Sequence, residues 1–235
     1  MASFGTMLAD AVGLIFSGDR DLIEIIGLSL RITLTAVILA CAIGLPIGAI
    51  VGAFRFRGRT LVTVALNSLM GLPPVVVGLG VYLMLSASGP LGALGLLYTP
   101  TAMIIAQTIL VSPIVAALTR QVVEDLDREY AEQFESLGVG PAARVAALLW
   151  DARYSLLTVA LAGFGRAVAE VGAVIIVGGN INHVTRVMTT TIALETSKDN
   201  LELALALGVV LLTIAVVVNG AVMTLRVSAV RAAYA

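Results

Sequence analysis

The sequence predicts an all-α, polytopic membrane protein. Hydrophobic residues make up 59% of its 235 residues and charged residues only 12%, whereas a soluble domain has about 45–50% and about 25%. The second observation is a series of long uncharged stretches, and the third is that arginines cluster between them. A net charge of −1 offers no basic field for nucleic acid, and one cysteine with one histidine gives no metal-ligand spacing.

Five membrane spans follow from the uncharged stretches, since a membrane helix needs roughly 20 apolar residues. The stretch 60–119 is long enough for two spans, with a connection at 86–100 that is rich in glycine and proline. The predicted spans are therefore 32–54, two within 60–119, 154–179 and 203–225. Pro46 predicts a kink in the first span, and Pro73 with Pro74 predicts another in the second.

The arginines predict how these spans are oriented, because basic residues remain on the cytoplasmic side. With the N-terminus outside, nine arginines fall inside: Arg55, Arg57, Arg59, Arg120, Arg128, Arg144, Arg153, Arg226 and Arg231. Only Arg20, Arg186 and Lys198 then fall outside. We therefore expect the N-terminus outside and the C-terminus inside.

The first 26 residues are expected to form a separate extracytoplasmic segment. Its apolar run is too short to span and no basic flank precedes it, so it is not typical of a signal peptide. A helix lying on the outer interface fits better. The transmembrane domain is then 27–235.

The loop at about 120–153 predicts two helices on the cytoplasmic side. Apolar residues spaced by three and four mark one helical face: Val123, Leu126, Tyr130, Phe134 and Leu137. Gly138 is suited to end this helix, and Pro141 is suited to begin a second one. Val145, Leu148 and Leu149 give the second helix an apolar side. A solvated connection with an apolar face is the alternative interpretation.

Residues 132–138, Glu-Gln-Phe-Glu-Ser-Leu-Gly, resemble the EAA loop of ATP-binding-cassette importer permeases, although Gln133 and Phe134 replace the usual two alanines. In that family the loop forms the coupling helices that dock into the ATPase subunit. The resemblance therefore implies an ATPase-coupling role for Glu132, Phe134, Glu135, Leu137 and Gly138.

The second half of the chain looks like the permease of tungstate importers, to which molybdate permeases are close. The residues that carry this are 153–157, 164–173, 177–181 and 185–198. The resemblance implies a type I importer permease in the prokaryotic inner membrane, working as a homodimer by alternating access. Its implied partners are two ATPases, which bind ATP and magnesium, and an extracytoplasmic oxyanion-binding protein. No cofactor is expected in this chain.

Arg166 and Glu170 are charged residues within the predicted fourth span. They are four residues apart, which places them on one face of a continuous helix, and an ion pair facing the bundle interior is expected. The functional hypothesis is that Arg166 lines or gates an anion pathway, since a guanidinium suits a tetrahedral oxyanion. The alternative is a pair that fixes helix packing. Gly163 and Gly165 would permit close helix approach nearby.

The outer segment that follows carries polar residues that suit a pathway mouth. Asn180, Arg186, Thr189 and Thr190 are expected to contact an oxyanion or the docked binding protein, with an ordinary polar loop as the alternative.

Three function classes compete at this point. An ATP-driven oxyanion importer is favoured, and tungstate, molybdate and sulfate remain open as its substrate. A proton-coupled secondary transporter would use Glu170 as its proton site. The chain has no phosphate-binding loop motif of its own and no legible catalytic constellation, which counts against an enzyme.

Overall fold

A computed structural model describes Gly13 and residues 19–233, with side chains as far as Thr224. The described residues form α-helices and one 3₁₀ turn, with no strand among them, so the all-α prediction is confirmed. The elements are α1 (Arg20–Ala53), α2 (Arg59–Met70), α3 (Pro74–Leu85), the 3₁₀ turn (Gly92–Leu94), α4 (Pro100–Ser136), α5 (Pro141–Asp151), α6 (Arg153–Val168), α7 (Gly172–Gly178), α8 (Met188–Ser197) and α9 (Leu201–Ala233).

Three of these helices are long and apolar enough to cross a membrane by themselves: α1, α4 and α9. The pairs α2 with α3 and α5 with α6 pass the same test only when each pair is taken together, which raises the number to five. The upper number equals the five predicted spans. The predicted fourth span, however, is α6 followed by α7 rather than α5 with α6.

The start of the first helix differs from prediction. Helix α1 begins at Arg20, twelve residues before the predicted first span (32 − 20 = 12). At about 1.5 Å per residue its 34 residues extend about 51 Å, beyond a hydrocarbon core of about 30 Å. The predicted interfacial helix at 1–26 lies mostly outside the described residues, and 20–26 belong to α1.

The two predicted proline kinks have different outcomes. At Pro73 and Pro74 the helix is broken: α2 ends at Met70, and α3 begins at Pro74 at an angle of 98° to it. Pro73 is extended (φ −65°, ψ 124°), and Pro74 takes the first position of α3. Proline is suited to that position because its missing N–H is not needed there. Pro46, in contrast, lies inside α1, which remains one helix from Arg20 to Ala53.

The first of two compact units contains the described residues of Met1–Ala36, together with Pro73–Gln107 and Ala167–Gly220. Within it Leu22, Ile25, Met188 and Leu207 form a buried apolar cluster that joins α1, α8 and α9. Helix α3 packs closely on α7, since a Cβ added to Gly78 would lie 2.7 Å from the Cα of Ala173. The turn before α4 joins this unit through the amide of Tyr98, which donates to the carbonyl of Val177 (2.9 Å).

The second unit contains Val37–Leu72, Thr108–Arg166 and the described residues of Ala221–Ala235. Ala49 and Ala53 of α1 pack there with Val123 of α4 and Leu148 of α5. The uncharged part of α4, Pro100 to Thr119, is roughly 30 Å long and matches one hydrocarbon core. The charged remainder, from Arg120 to Ser136, continues the same helix for about 25 Å.

Candidate functional site

Outside the uncharged spans, the end of α4 (Arg120–Ser136) packs against α5. We call these two helices the docking pair, after the role that the sequence resemblance implies. The predicted helix end is confirmed: α4 stops at Ser136, and Gly138 takes a left-handed φ of 60°. The amide of Val139 donates to the carbonyl of Phe134 (3.0 Å), which satisfies a terminal carbonyl. Pro141 begins α5 as predicted. The first predicted helix is thus the end of a transmembrane helix and not a separate one.

The two helices of the docking pair are held together by apolar and polar contacts. Val123 and Leu148 are fully buried, and Phe134 is half-buried between the helices. The guanidinium of Arg144 lies 5.5 Å from the ring centre of Phe134 and donates from Nε to Asp127 (2.7 Å). Each of these contacts joins α4 to α5, so the pair has a defined geometry.

The docking pair leaves two large apolar side chains uncovered. Leu137 is 77% exposed and Trp150 is 71% exposed. Of the residues predicted to couple to an ATPase, Glu132, Glu135, Leu137 and Gly138 are all exposed. Phe134 differs from them because it packs inside the pair.

Four charged residues meet at the start of the docking pair, and we name them the Glu124 cluster: Glu124, Arg59, Arg120 and Arg128. Glu124 Oε2 lies 2.5 Å from Arg120 and 3.0 Å from Arg59, and Oε1 lies 2.6 Å from Arg128. Burial alone would raise the pKa of Glu124, but Arg59, Arg128 and Arg120 outweigh it and hold the pKa below its ordinary value. The carboxylate therefore stays ionised near neutral pH.

Arg166 and Glu170 do not share a helix. Helix α6 ends at Val168 and α7 begins at Gly172, so the predicted fourth span is interrupted and Glu170 lies in the interruption. Arg166 occupies the last turn of α6, where a cation complements the helix dipole. The expectation of one common helical face was wrong because the helix does not continue between the two residues. Their ion pair stays a prediction.

Glu170 is 3% exposed, and it forms hydrogen bonds with two other parts of the first unit, the start of α7 and Thr189. Its Oε1 accepts from the amide of Ala173 (2.9 Å) at the start of α7, and its own carbonyl accepts from Thr189 Oγ1 (2.8 Å). These bonds satisfy backbone groups that the interruption would otherwise leave unpaired.

A small cavity of about 10 Å³ adjoins Glu170 in the first unit. Polar side chains contribute to its lining, namely Ser29, Thr33, Gln107, Glu170 and Thr189. Gln107 is 4% exposed and donates to the carbonyl of Ala167 (3.2 Å), while its Oε1 has no hydrogen-bond partner among the described residues. A volume of this size is about that of one water molecule.

The predicted outer-mouth residues belong to a folded segment and not to an open loop. Thr190 is fully buried and donates to Oδ1 of Asn180 (2.9 Å). Thr189 bonds the backbone of Glu170, as described above, and Arg186 is partly buried. Of these residues, Thr190 is too buried to meet a ligand at the surface in this conformation.

An exposed histidine in the turn before α8 pairs with a carboxylate of α1. His183 Nδ1 lies 2.9 Å from the carboxylate of Glu24 on α1. This hydrogen bond raises the pKa of His183 above its ordinary value; the charge of Glu24 and, more weakly, that of Asp21 act in the same direction, while Arg186 opposes them.

Comparison with known proteins decides the identity of the chain. Residues 44–226, more than half of the sequence, match the family described as the inner membrane component of binding-protein-dependent transport systems. The chain belongs to this family. It is the permease subunit of an ATP-binding-cassette importer in the inner membrane, a transport component rather than an enzyme. Such a permease has ATPase and substrate-binding-protein partners.

Individual relatives resemble the permease along most of its length. A probable anion ABC transporter permease of Haloferax volcanii is 43% identical, covering 86% of this chain and 90% of its own. A tungstate uptake system permease of Peptoclostridium acidaminophilum is 41% identical over 92% and 95%. Another tungstate uptake system permease, from Campylobacter jejuni, is 37% identical over 89% and 87%. Relatives named as sulfate or molybdenum permeases are 27–29% identical.

Two features of the permease escaped sequence reasoning. The Glu124 cluster depends on Arg59, which is 65 residues from Glu124 in sequence (124 − 59 = 65) and carries no local pattern that pairs it with an acid. Gln107 carries no charge and so gave no signal, although it is one of only two amide side chains, with Asn67, in an uncharged 60-residue stretch. Glu170 could be identified from sequence as a charge within a span, and the structure shows that it satisfies the backbone at the break between α6 and α7.

Proposed function

We propose that this permease imports tungstate, working as a homodimer with two ATPase subunits and an extracytoplasmic binding protein that delivers the anion. The observation that carries the substrate is the relation to two tungstate uptake permeases at 37–41% identity over about nine-tenths of the chain. The relatives named for sulfate or molybdenum are more distant. ATP and magnesium bind to the partner ATPase, and no cofactor is required in this chain.

The proposed orientation has the N-terminus outside and the C-terminus inside. It is supported by the nine-to-three distribution of basic residues between the two sides. The docking pair is then cytoplasmic. The test uses the one native cysteine, Cys41, which is replaced by serine before a new cysteine is placed at Leu137 or His183. Membrane-impermeant thiol reagents should label the first position from inside only and the second from outside only, and the reverse result would refute the orientation.

The docking pair is the proposed contact with the ATPase. Leu137 and Trp150 are large apolar side chains left exposed, although this part of the chain lies outside the apolar spans, and the acids Glu132 and Glu135 of the same helix pair are exposed as well. Aromatic anchors with a polar surround are typical of residues that dominate protein interfaces. The guanidinium of Arg153 lies 4.9 Å from the ring centre of Trp150, a cation–π contact that favours this orientation of the indole.

Trp150→Ala tests this contact. Truncation of an interface anchor costs about 2 kcal/mol or more, which weakens ATPase binding roughly 30-fold. Leu212→Ala is the matched control, because Leu212 is also 68% exposed but lies in the apolar span α9. Equal ATPase binding by both variants, measured by co-purification at limiting ATPase, would exclude this docking surface.

Arg166 and Glu170 are proposed to line or gate the anion pathway, with Gly163 and Gly165 beside them. Gly163 is tightly packed, because an added Cβ would lie 3.0 Å from Cγ1 of Val111, whereas Gly165 has open space. The substitution Arg166→Gln should abolish uptake while the ATPase subunits still assemble. Normal uptake by that variant would refute the gating role.

Reconstitution of the whole complex in proteoliposomes tests the substrate. Tungstate uptake should require ATP and the binding protein, and it should resist an excess of sulfate. If molybdate or sulfate is transported in preference, the substrate assignment fails although the importer assignment survives. Uptake driven by a proton gradient without ATP would contradict both.

A further inference from the structure

The Glu124 cluster joins three helices at the cytoplasmic end of the second unit. Glu124 extends from α4, Arg59 begins α2, and the guanidinium of Arg59 also reaches the end of α1. The Nε of Arg59 donates to the carbonyl of Val51 (2.8 Å), and its Nη2 donates to the carbonyl of Gly52 (3.4 Å). The last carbonyls of a helix have no partner within the helix and are stabilised by a cation. One arginine therefore bridges the end of α1 to the carboxylate of Glu124.

The side chains of this bridge are largely shielded from water. Their exposed fractions are 17% for Glu124, 12% for Arg120 and 23% for Arg59, while Arg128 is 65% exposed. Exposed ion pairs contribute little, but a shielded charge that loses its partner is costly. The arrangement thus depends on Glu124 more than on any one arginine, because three cations share this single carboxylate.

The bridge lies beside the core on which the docking pair rests. Val123 is the neighbour of Glu124 in α4, is fully buried, and packs against Leu148 of α5 and Ala53 of α1. The backbones of α1 and α4 approach closely there, since a Cβ added to Gly52 would lie 2.9 Å from the carbonyl oxygen of Arg120. A displacement of α5 therefore reaches α4 through Leu148, and α1 is held to α4 at the same level.

We infer that Glu124 is a positioning residue for transport: through Arg59 it holds the cytoplasmic end of α1 to α4 and the docking pair, so that α1 follows when the ATPase moves α5. This role rests on the proposed ATPase docking. This role requires no contact of Glu124 with the ATPase or the anion, since the shielded carboxylate acts through the arginines it binds. Its loss should disconnect ATP hydrolysis from transport while leaving the docking surface itself intact.

The test compares Glu124→Gln with Asp199→Asn in the full complex with ATPase and binding protein. Asp199 is an exposed acid outside the docking pair and makes no ion pair among the described residues, so its variant removes one acidic charge without changing the surface proposed for the ATPase. Glu124→Gln should lower tungstate uptake per ATP hydrolysed at least tenfold, with ATPase binding unchanged. Asp199→Asn should stay within twofold of the unmodified complex.

Arg59→Gln provides a second route if the Glu124 variant does not fold. It breaks the bridge to α1 but leaves Glu124 paired with Arg120 and Arg128, so no buried charge is stranded. The same loss of uptake per ATP is expected, and unchanged coupling in this variant would refute the positioning role. If the unmodified complex transports no oxyanion at all, the proposed function fails and the inference fails with it, which is a distinct result.

Discussion

Gly78 offers a sharp test of how closely α3 and α7 pack. A Cβ added at this position would lie 2.7 Å from the Cα of Ala173, 3.2 Å from its carbonyl oxygen and 3.3 Å from Cβ of Ile176. Favourable carbon–carbon contacts occur at about 3.5–4.0 Å. Gly78→Ala therefore requires the two helices to move apart by several tenths of an ångström, and the obstacle is backbone that cannot rotate away.

The matched control is Gly80→Ala in the same helix. Gly80 is exposed, and nothing lies within 4 Å of an added Cβ. Both substitutions change the helix propensity and the entropy of the unfolded chain in the same way, so these contributions cancel in the comparison. What remains is overpacking at Gly78, which costs about 1–3 kcal/mol and corresponds to roughly a 5- to 150-fold change in the unfolding equilibrium.

Unfolding of the purified permease in mixed micelles of increasing SDS content gives the measurement. Helix content by far-ultraviolet circular dichroism is a better signal than fluorescence, because the single tryptophan, Trp150, is 71% exposed and does not report on the core. Gly78→Ala should unfold at a lower SDS fraction than Gly80→Ala. Equal stability of the two variants would show that α3 and α7 are not in contact at Gly78.

Three further predictions use the same preparation. Leu148→Ala should cost about 2–5 kcal/mol of stability, because Leu148 is fully buried in the core of the docking pair, and a loss below 1 kcal/mol would contradict that packing. The buried hydroxyl of Thr185 accepts from the amide of Ile181 and donates to the carbonyl of Gly178. Thr185→Val should therefore destabilise the protein by about 1–3 kcal/mol for each of these two backbone groups that it leaves unpaired, whereas Thr185→Ser, which keeps the hydroxyl, should lose much less. His183 is the only histidine, so an untagged protein gives one imidazole titration by NMR, and Glu24→Gln should lower its pKa. Because pairing raises that pKa, the stabilisation it provides is complete below the unfolded value of about 6.5 and disappears as pH rises through the folded value; an unchanged titration in Glu24→Gln would exclude the pair.

The docking pair could be predicted from sequence because its signals are local. Spacing by three and four placed Val123 and Phe134 on one face, and both pack in the core as expected. Leu137 continues that spacing but is 77% exposed, because α4 ends at Ser136 and the periodicity no longer describes the chain beyond it. The glycine that predicts the helix end therefore also limits the apolar face.

The interruption at 169–171 could not be predicted in the same way. It contains Ala169, Glu170 and Val171, with neither proline nor glycine to indicate a break. The contacts that satisfy it come from elsewhere, since Thr189 donates to the Glu170 carbonyl across nineteen residues of sequence. Such a break is stable in an apolar surrounding because the polar groups are paired, and that pairing is a tertiary property.

The burial of the segment 180–200 could not be predicted from its composition either. Thr190 and Thr191 are fully buried, and each hydroxyl has a polar partner: Thr191 donates to the carbonyl of Val187 (2.7 Å), and Thr190 accepts from the amide of Val187 (3.3 Å) while donating to Asn180. A polar side chain can be buried when its polar atoms have hydrogen-bond partners inside the protein. A helix that satisfies its own threonines can therefore be buried although its composition is typical of a surface.

The contact between α1 and α4 explains why one carboxylate can matter to the movement of a whole helix. Gly44, Gly48 and Gly52 recur every four residues on α1, and an added Cβ at Gly44 would lie 2.8 Å from Cβ of Val115, and at Gly48 2.7 Å from Cβ of Thr119. Lipid solvates apolar side chains as well as protein does, so helices in a membrane associate through close backbone approach and polar contacts. The close approach persists at Gly52, and there the Glu124 cluster adds polar contacts, because Arg59 bonds both the carbonyl of Gly52 and Glu124. The described contacts thus hold α1 to α4 from Gly44 to Gly52, next to the core that Ala53 shares with the docking pair.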